Sequence, residues 1–161
     1  MKSFLVSALK ALVVNGRGAL SSRHDGAWLV WEPGSWKAPR AQTLVLDAVK
    51  DYRTASKGSL AGAEALAIVL PSQERVTVGR APDADVSIND GTLSSMHLVL
   101  LRGADGAWYA DELGSTNGTT VDGAALQAGV PVPLRNGSAI KAGQVALTFH
   151  SAEGLWTRLS A

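Results

Sequence analysis

The chain has 161 residues and a hydrophobic fraction of 46%, which predicts one globular domain with a buried core and room for an appendage. It has no cysteine, so disulfides, thiolate metal sites and a cysteine nucleophile are excluded, and its three dispersed histidines lack the spacing of a zinc site. The formal net charge of +1 hides an asymmetry: residues 1–61 carry nine Lys or Arg against four Asp or Glu, whereas residues 62–150 carry five against nine.

The first predicted element is an amphipathic helix over Ser3–Val14. Asn15 and Gly16 favour a helix end there, because both tolerate positive φ. The apolar run at the start is broken by Lys10 and no cleavage site follows it, so an export signal is not expected. No stretch approaches the roughly 20 apolar residues needed to span a bilayer. Together with the missing cysteines, these features predict a cytoplasmic protein.

Next comes a β-rich arm, with apolar runs at Ala27–Trp31 and Thr43–Leu46 on either side of a turn-rich stretch. Its three tryptophans are expected to be buried. The basic charge of residues 1–61 has two interpretations: a differently solvated surface, or a segment that docks on the acidic domain or on an acidic partner. Self-association through this arm is a further expectation if a kinase modifies Thr43 or Thr54.

From residue 62 to residue 150, short β-like runs alternate with turn signals such as Asp105-Gly106, Asn117-Gly118 and Asn136-Gly137, without helical periodicity. This pattern predicts an all-β, antiparallel sandwich. The predicted organisation is therefore a helix, arm and linker over 1–61, a β-sandwich domain over 62–150 and a tail over 151–161. The predicted strands are Ala65–Leu70, Arg75–Val78, Val86–Ile88, His97–Leu101, Trp108–Asp111, Thr119–Val121, Pro133–Leu134, Ser138–Lys141 and Val145–Phe149.

Three polar clusters fall in predicted loops of this sandwich: Gly79-Arg80, Ser94-Ser95-Met96-His97 and Asp111–Thr119. Rigid sandwiches usually carry their binding residues on such loops. The ordered set Gly79-Arg80, Ser94-x-x-His97 and Asn117-Gly118 resembles the forkhead-associated (FHA) family, and the resemblance covers about 85 residues of the chain. The resemblance implies a phosphothreonine-binding β-sandwich.

The resemblance also implies roles for individual residues, which fit their chemistry. Arg80 supplies a permanent cation with a planar fork of donors, and Ser94 supplies a hydroxyl to the phosphate. Thr116 flanks the threonine methyl and phosphate, and Asn117 clamps the ligand backbone. Three further residues are expected to be structural: Gly79 and Gly118 permit tight turns, and His97 braces the Ser94 loop.

Each signal also has a simpler interpretation when it is taken alone. Arg80 could pair with Asp83 or Asp85, Ser94 could cap a turn, and Asn117-Gly118 is a strong hairpin signal. Ser95, the fifth residue expected to bind the phosphopeptide, departs from the family, whose members commonly place Arg or Asn there. The departure predicts a loss of about 1–2 kcal/mol, or roughly tenfold in affinity, unless Ser95 acts through a water or the domain uses phosphate-independent contacts.

The expected function is recognition of a phosphothreonine-containing protein, a Ser/Thr kinase or its substrate, and not catalysis. The chain has no P-loop, and no acid is placed to orient His97 as a triad requires. No metal and no cofactor is expected, and nucleic-acid binding is disfavoured because only the front segment is basic. The alternative is a phosphate-independent scaffold or oligomerisation module on the same fold.

Overall fold

A computed structural model of the protein describes residues 3–13, 26–32 and 65–160. In chain order, its elements are β1 Ser3–Leu5, α1 Val6–Val13, β2 Trp28–Trp31, β3 Leu66–Val69, β4 Arg75–Gly79, β5 Val86–Ser87, β6 Leu98–Arg102, β7 Trp108–Glu112, β8 Thr119–Val121, β9 Ala124–Ala125, β10 Val132–Leu134, β11 Ala139–Ala142, β12 Val145–His150 and α2 Ala152–Ser160.

The strands form two sheets that pack face to face, and this confirms the predicted all-β sandwich. One sheet has the order β1-β3-β2-β12-β11-β8-β9 and the other has the order β10-β7-β6-β4-β5. The described strands pair in antiparallel fashion except β4 with β5, and an isolated parallel bridge joins Glu112 to Ala128. Burial alternates along strands such as β7 and β11, because successive side chains point to opposite faces.

Strand β2 lies inside the larger sheet, between β3 and β12, and is buried on both faces. Leu29 and Trp31 belong to the core between the sheets, whereas Trp28 and Val30 belong to a second apolar cluster on the outer face. This double burial explains why the run is continuously apolar instead of alternating. Trp28 and Trp31 are buried as predicted. The third tryptophan of the arm, the Thr43–Leu46 run and the linker lie outside the described residues.

The outer cluster is covered by a helical layer in which α1 packs on α2. The N-terminal prediction was right for the helix but wrong for its beginning, because Ser3–Leu5 pairs with β3 as an edge strand. Helix α2 forms within residues 151–161, the segment that the sequence predicts to be a tail. No helix within the described ranges is long and apolar enough to cross a membrane.

A polar cluster joins α2 to the end of β2. Arg158 donates to both oxygens of Glu32, at 2.5 and 2.8 Å, and also contacts Nε2 of His150 at 3.3 Å. Burial and the Arg158 charge lower the pKa of His150. Burial alone would raise the pKa of Glu32, but hydrogen bonds from Arg158 and Thr148 outweigh it and the pKa is lowered.

These two shifts predict acid sensitivity of the fold. Because His150 and Glu32 bind protons less readily when folded, their contribution to stability is complete above a pH of about 6.5 and is lost as the pH falls. We expect the free energy of unfolding to decrease below pH 6.5 by up to about 1.4 kcal/mol per pH unit for His150, and Glu32 adds to the loss at still lower pH. Urea denaturation between pH 7.5 and pH 5 measures this slope, and His150→Gln should flatten it. An unchanged slope in that variant would assign the effect to other groups.

Candidate functional site

Three loops meet at one end of the sandwich because of how their strands pair. Since β4 is antiparallel to β6, and β6 is antiparallel to β7, the end of β4, the start of β6 and the end of β7 are neighbours. The loop after β4 begins with Arg80, the loop before β6 carries Ser94, and the loop between β7 and β8 carries Thr116 and Asn117. Residues far apart in the chain are thus brought to one edge.

The first two loops are joined by backbone hydrogen bonds that require a glycine at position 79. The N–H groups of Arg80 and Ala81 donate to the carbonyls of Ser94 and Ser95, both at 3.0 Å. A Cβ atom on Gly79 would lie 2.1 Å from the Ser95 carbonyl oxygen, a distance that no real contact has. Gly79 therefore permits the close approach that holds the Ser94 loop beside Arg80.

This contact predicts that Gly79→Ala destabilises the protein by roughly 1–3 kcal/mol, because a methyl group must displace backbone rather than a flexible side chain. Chemical denaturation of both proteins measures the difference. Gly91→Ala is the matched control, since a Cβ there meets nothing within 4 Å and the backbone is not left-handed. We expect the control to stay within about 0.5 kcal/mol of the wild type, and an equally mild Gly79→Ala would refute the steric assignment.

His97 braces two of the loops from inside the protein, where it is fully buried. Its Nδ1 accepts from the backbone N–H of Ser94 at 3.0 Å, so the ring proton resides on Nε2, which lies 2.9 Å from the carbonyl oxygen of Gly118. Gly118 has a φ of +78°, which favours glycine. The ring therefore ties the Ser94 loop to the Asn117-Gly118 turn without reaching the surface.

Hydrogen bonds also orient the polar side chains of the site. The Ser94 hydroxyl accepts the backbone N–H of Thr116 at 3.0 Å, which leaves its own proton available for an anion. The Asn117 side chain donates through Nδ2 to the Thr92 carbonyl at 2.8 Å, so its Oδ1 remains for a ligand donor. One N–H of the Asn117 amide is thus used within the protein.

All five residues predicted to bind phosphopeptide line one open pocket of about 380 Å³; they are Arg80, Ser94, Ser95, Thr116 and Asn117. Arg80 is exposed, and within the described ranges no carboxylate lies at ion-pair distance from it. Asp85 accepts instead from the backbone N–H and hydroxyl of Thr77, at 2.9 and 3.0 Å. The simpler interpretation of Arg80 as the ion-pair partner of Asp83 or Asp85 is therefore wrong.

Two supporting residues were missed by the sequence reasoning. Thr92 lines the pocket and anchors Asn117, and its pattern Asp90-Gly91-Thr92 is a recognisable Asx-turn signal. Glu112 accepts the backbone N–H of Ser115 at 2.5 Å beneath the Thr116 loop. Burial alone would raise the pKa of Glu112, but hydrogen bonds from Ser115 and Thr119 outweigh it and the pKa is lowered.

No group of three or more metal-ligating side chains occurs in the part of the chain that the structure describes. The pocket offers one guanidinium, hydroxyls and an amide, which are donors suited to an anion and not ligands suited to a cation. The chemistry of the site therefore points to an anionic ligand.

Comparisons with known proteins agree with this architecture. The family model of the FHA domain matches residues 76–143. FHA domain-containing protein FhaB of Mycobacterium tuberculosis (strain H37Rv) is 35% identical over 97 residues, 60% of this chain and 57% of that protein. FhaB of Mycolicibacterium smegmatis is 37% identical over 93 residues, 57% of this chain and 55% of that protein. The chain thus matches somewhat over half the length of these relatives.

A solved structure shows the same fold. The FHA domain of the CT664 protein from Chlamydia trachomatis aligns with a TM-score of 0.50 and 22% sequence identity, over 77% of this chain and 96% of that chain. The residues that the family model matches include the Gly-Arg, Ser-x-x-His and Asn-Gly motifs of the three loops. Residues 76–143 of this chain therefore form a forkhead-associated domain.

Proposed function

We propose that the pocket binds phosphothreonine in a partner protein and that the chain works as an interaction module. One observation carries the proposal: Arg80 and Ser94 line the same open pocket, and no described carboxylate lies at ion-pair distance from Arg80. A phosphate brings nearly two negative charges and three acceptor oxygens, which match these donors. Thr116 and Asn117 lie beside them, where the threonine methyl and the peptide backbone would follow.

The hydrogen bonds of His97 argue against hydrolysis with Ser94 as the nucleophile. His97 Nδ1 is occupied by the backbone N–H of Ser94, and its Nε2–H is directed at Gly118. Neither ring nitrogen can therefore take the proton of the Ser94 hydroxyl, as a general base must. Recognition without chemical turnover is the function that this arrangement supports.

We further propose that the partner is a Ser/Thr kinase or a protein that such a kinase modifies, in the cytoplasm. Self-association through the N-terminal arm, after phosphorylation of Thr43 or Thr54, belongs to the same proposal. A phosphate-independent scaffold remains the second candidate. It is favoured by Ser95, whose short side chain occupies a pocket position where a longer donor would add phosphate contacts.

A peptide-library experiment separates the two candidates. The full chain is titrated with phosphothreonine peptides, the matched phosphoserine peptides and the unphosphorylated peptides, and affinity is measured by fluorescence anisotropy. The proposed function predicts micromolar binding of phosphothreonine peptides, weaker binding of phosphoserine and none after phosphatase treatment. Partner capture that survives phosphatase treatment would instead establish the scaffold.

A further inference from the structure

Thr92 occupies the centre of a hydrogen-bond network that lies behind Asn117. Its N–H and its hydroxyl both donate to Oδ1 of Asp90, at 2.8 and 2.6 Å. The hydroxyl oxygen accepts the backbone N–H of Gln144 at 2.9 Å, and the carbonyl accepts Nδ2 of Asn117 at 2.8 Å. One residue thereby joins the loop before β6, the turn between β11 and β12, and the loop after β7.

Thr92 packs closely against the backbone of Gly143, which restricts where its carbonyl and hydroxyl can lie. A Cβ atom on Gly143 would lie 2.6 Å from the Thr92 carbonyl oxygen and 2.7 Å from its hydroxyl oxygen. The N–H of Gly143 also donates to the carbonyl of Gly118, next to Asn117, at 3.2 Å. The β11–β12 turn therefore holds the Thr92 carbonyl and the Asn117-Gly118 turn in one arrangement.

From this network we infer that Thr92 is a positioning residue, which sets the Asn117 side chain for the backbone of the ligand and leaves the phosphate contacts alone. The inference rests on the proposed function. With Nδ2 fixed on the Thr92 carbonyl, the planar amide has one direction left for Oδ1, which can accept a peptide N–H. Arg80 and Ser94 are held by other bonds: the Arg80 N–H donates to the Ser94 carbonyl, and the Ser94 N–H donates to Nδ1 of His97.

Because Thr92 holds Asn117 and not the phosphate-binding residues, Thr92→Val should weaken binding of the peptide but not of inorganic phosphate. General damage to the site would weaken both. Valine has the shape of threonine and keeps the backbone N–H bond to Asp90, but it loses the two bonds of the hydroxyl, to Asp90 and Gln144. The Thr92 carbonyl and Asn117 are then held less firmly. We expect affinity for a phosphothreonine peptide to fall about tenfold, which corresponds to one well-made hydrogen bond. Affinity for inorganic phosphate, which has no backbone to clamp, should change less than about twofold.

The experiment measures both probes on the full chain: a phosphothreonine peptide by fluorescence anisotropy, and inorganic phosphate by NMR titration of backbone amides. Thr92→Ser should restore peptide binding because it keeps the hydroxyl. Asn117→Ala should reproduce the loss, and the double variant should be no weaker than Asn117→Ala alone. Thr157→Val is the matched control, since its hydroxyl bonds only within α2, to the carbonyl of Glu153.

A second variant covers the case in which Thr92→Val does not fold. Asp90→Ala removes the acceptor of two Thr92 bonds and should show the same loss for the peptide and not for phosphate. Equal losses for both probes, or no loss for the peptide, would overturn the inference. If the wild-type chain itself binds the phosphorylated and unphosphorylated peptides equally, the proposed function fails, and the inference falls with it.

Discussion

Arg80→Ala is expected to weaken phosphothreonine-peptide binding by at least about 100-fold, the loss of two charge-assisted hydrogen bonds. The fold should be unaffected, because the Arg80 side chain is exposed and forms no ion pair with the described residues. The free energy of unfolding should stay within about 0.5 kcal/mol of the wild type. Isothermal titration with one phosphopeptide, alongside urea denaturation, measures both quantities.

Two controls locate the effect at position 80. Arg80→Lys keeps the charge but loses the planar fork, so we expect an intermediate loss of about tenfold. Arg102→Ala removes another exposed arginine at the opposite end of the sandwich and should leave binding unchanged. If Arg80→Ala binds its partner as tightly as the wild type, the pocket does not use phosphate and the scaffold function takes its place.

His97→Ala is expected to destabilise the protein by roughly 3–5 kcal/mol, the largest stability effect that we predict for the site. The substitution removes a fully buried ring, leaves the Ser94 N–H without its acceptor, and removes one of the two donors to the Gly118 carbonyl, the other being the N–H of Gly143. Because these two groups belong to different loops, peptide binding should also weaken in whatever fraction of the protein remains folded. Urea denaturation gives the stability, and anisotropy gives the affinity.

Two isosteric variants divide the role of His97 between its nitrogens. In His97→Asn the side-chain oxygen can replace Nδ1 and accept from Ser94, whereas in His97→Gln the side-chain nitrogen can replace Nε2 and donate to Gly118. We expect each to recover part of the stability lost in His97→Ala. Recovery by neither variant would mean that the ring acts through its volume and not through its hydrogen bonds.

Local chain chemistry was enough to predict the class of fold, and the resemblance to the FHA family indicated the five residues that line the pocket. Turn signals such as Asn117-Gly118 and Asn136-Gly137 mark strand ends because they depend on a few adjacent residues. The nine strands predicted after the linker all have counterparts in the structure. Arg80, Ser94 and Asn117 could be recognised because the ordered motifs that carry them, with strands between, resemble those of the FHA family.

Tertiary structure alone decided the contacts that join distant segments. Nothing local places β2 between β3 and β12, makes Ser3–Leu5 an edge strand, or turns the predicted tail into α2. The bonds of Thr92 to Asn117 and Gln144 span 25 and 52 residues. Such partners are chosen by the packing of whole sheets, because pairing energy depends on which faces remain to be buried and not on sequence neighbours.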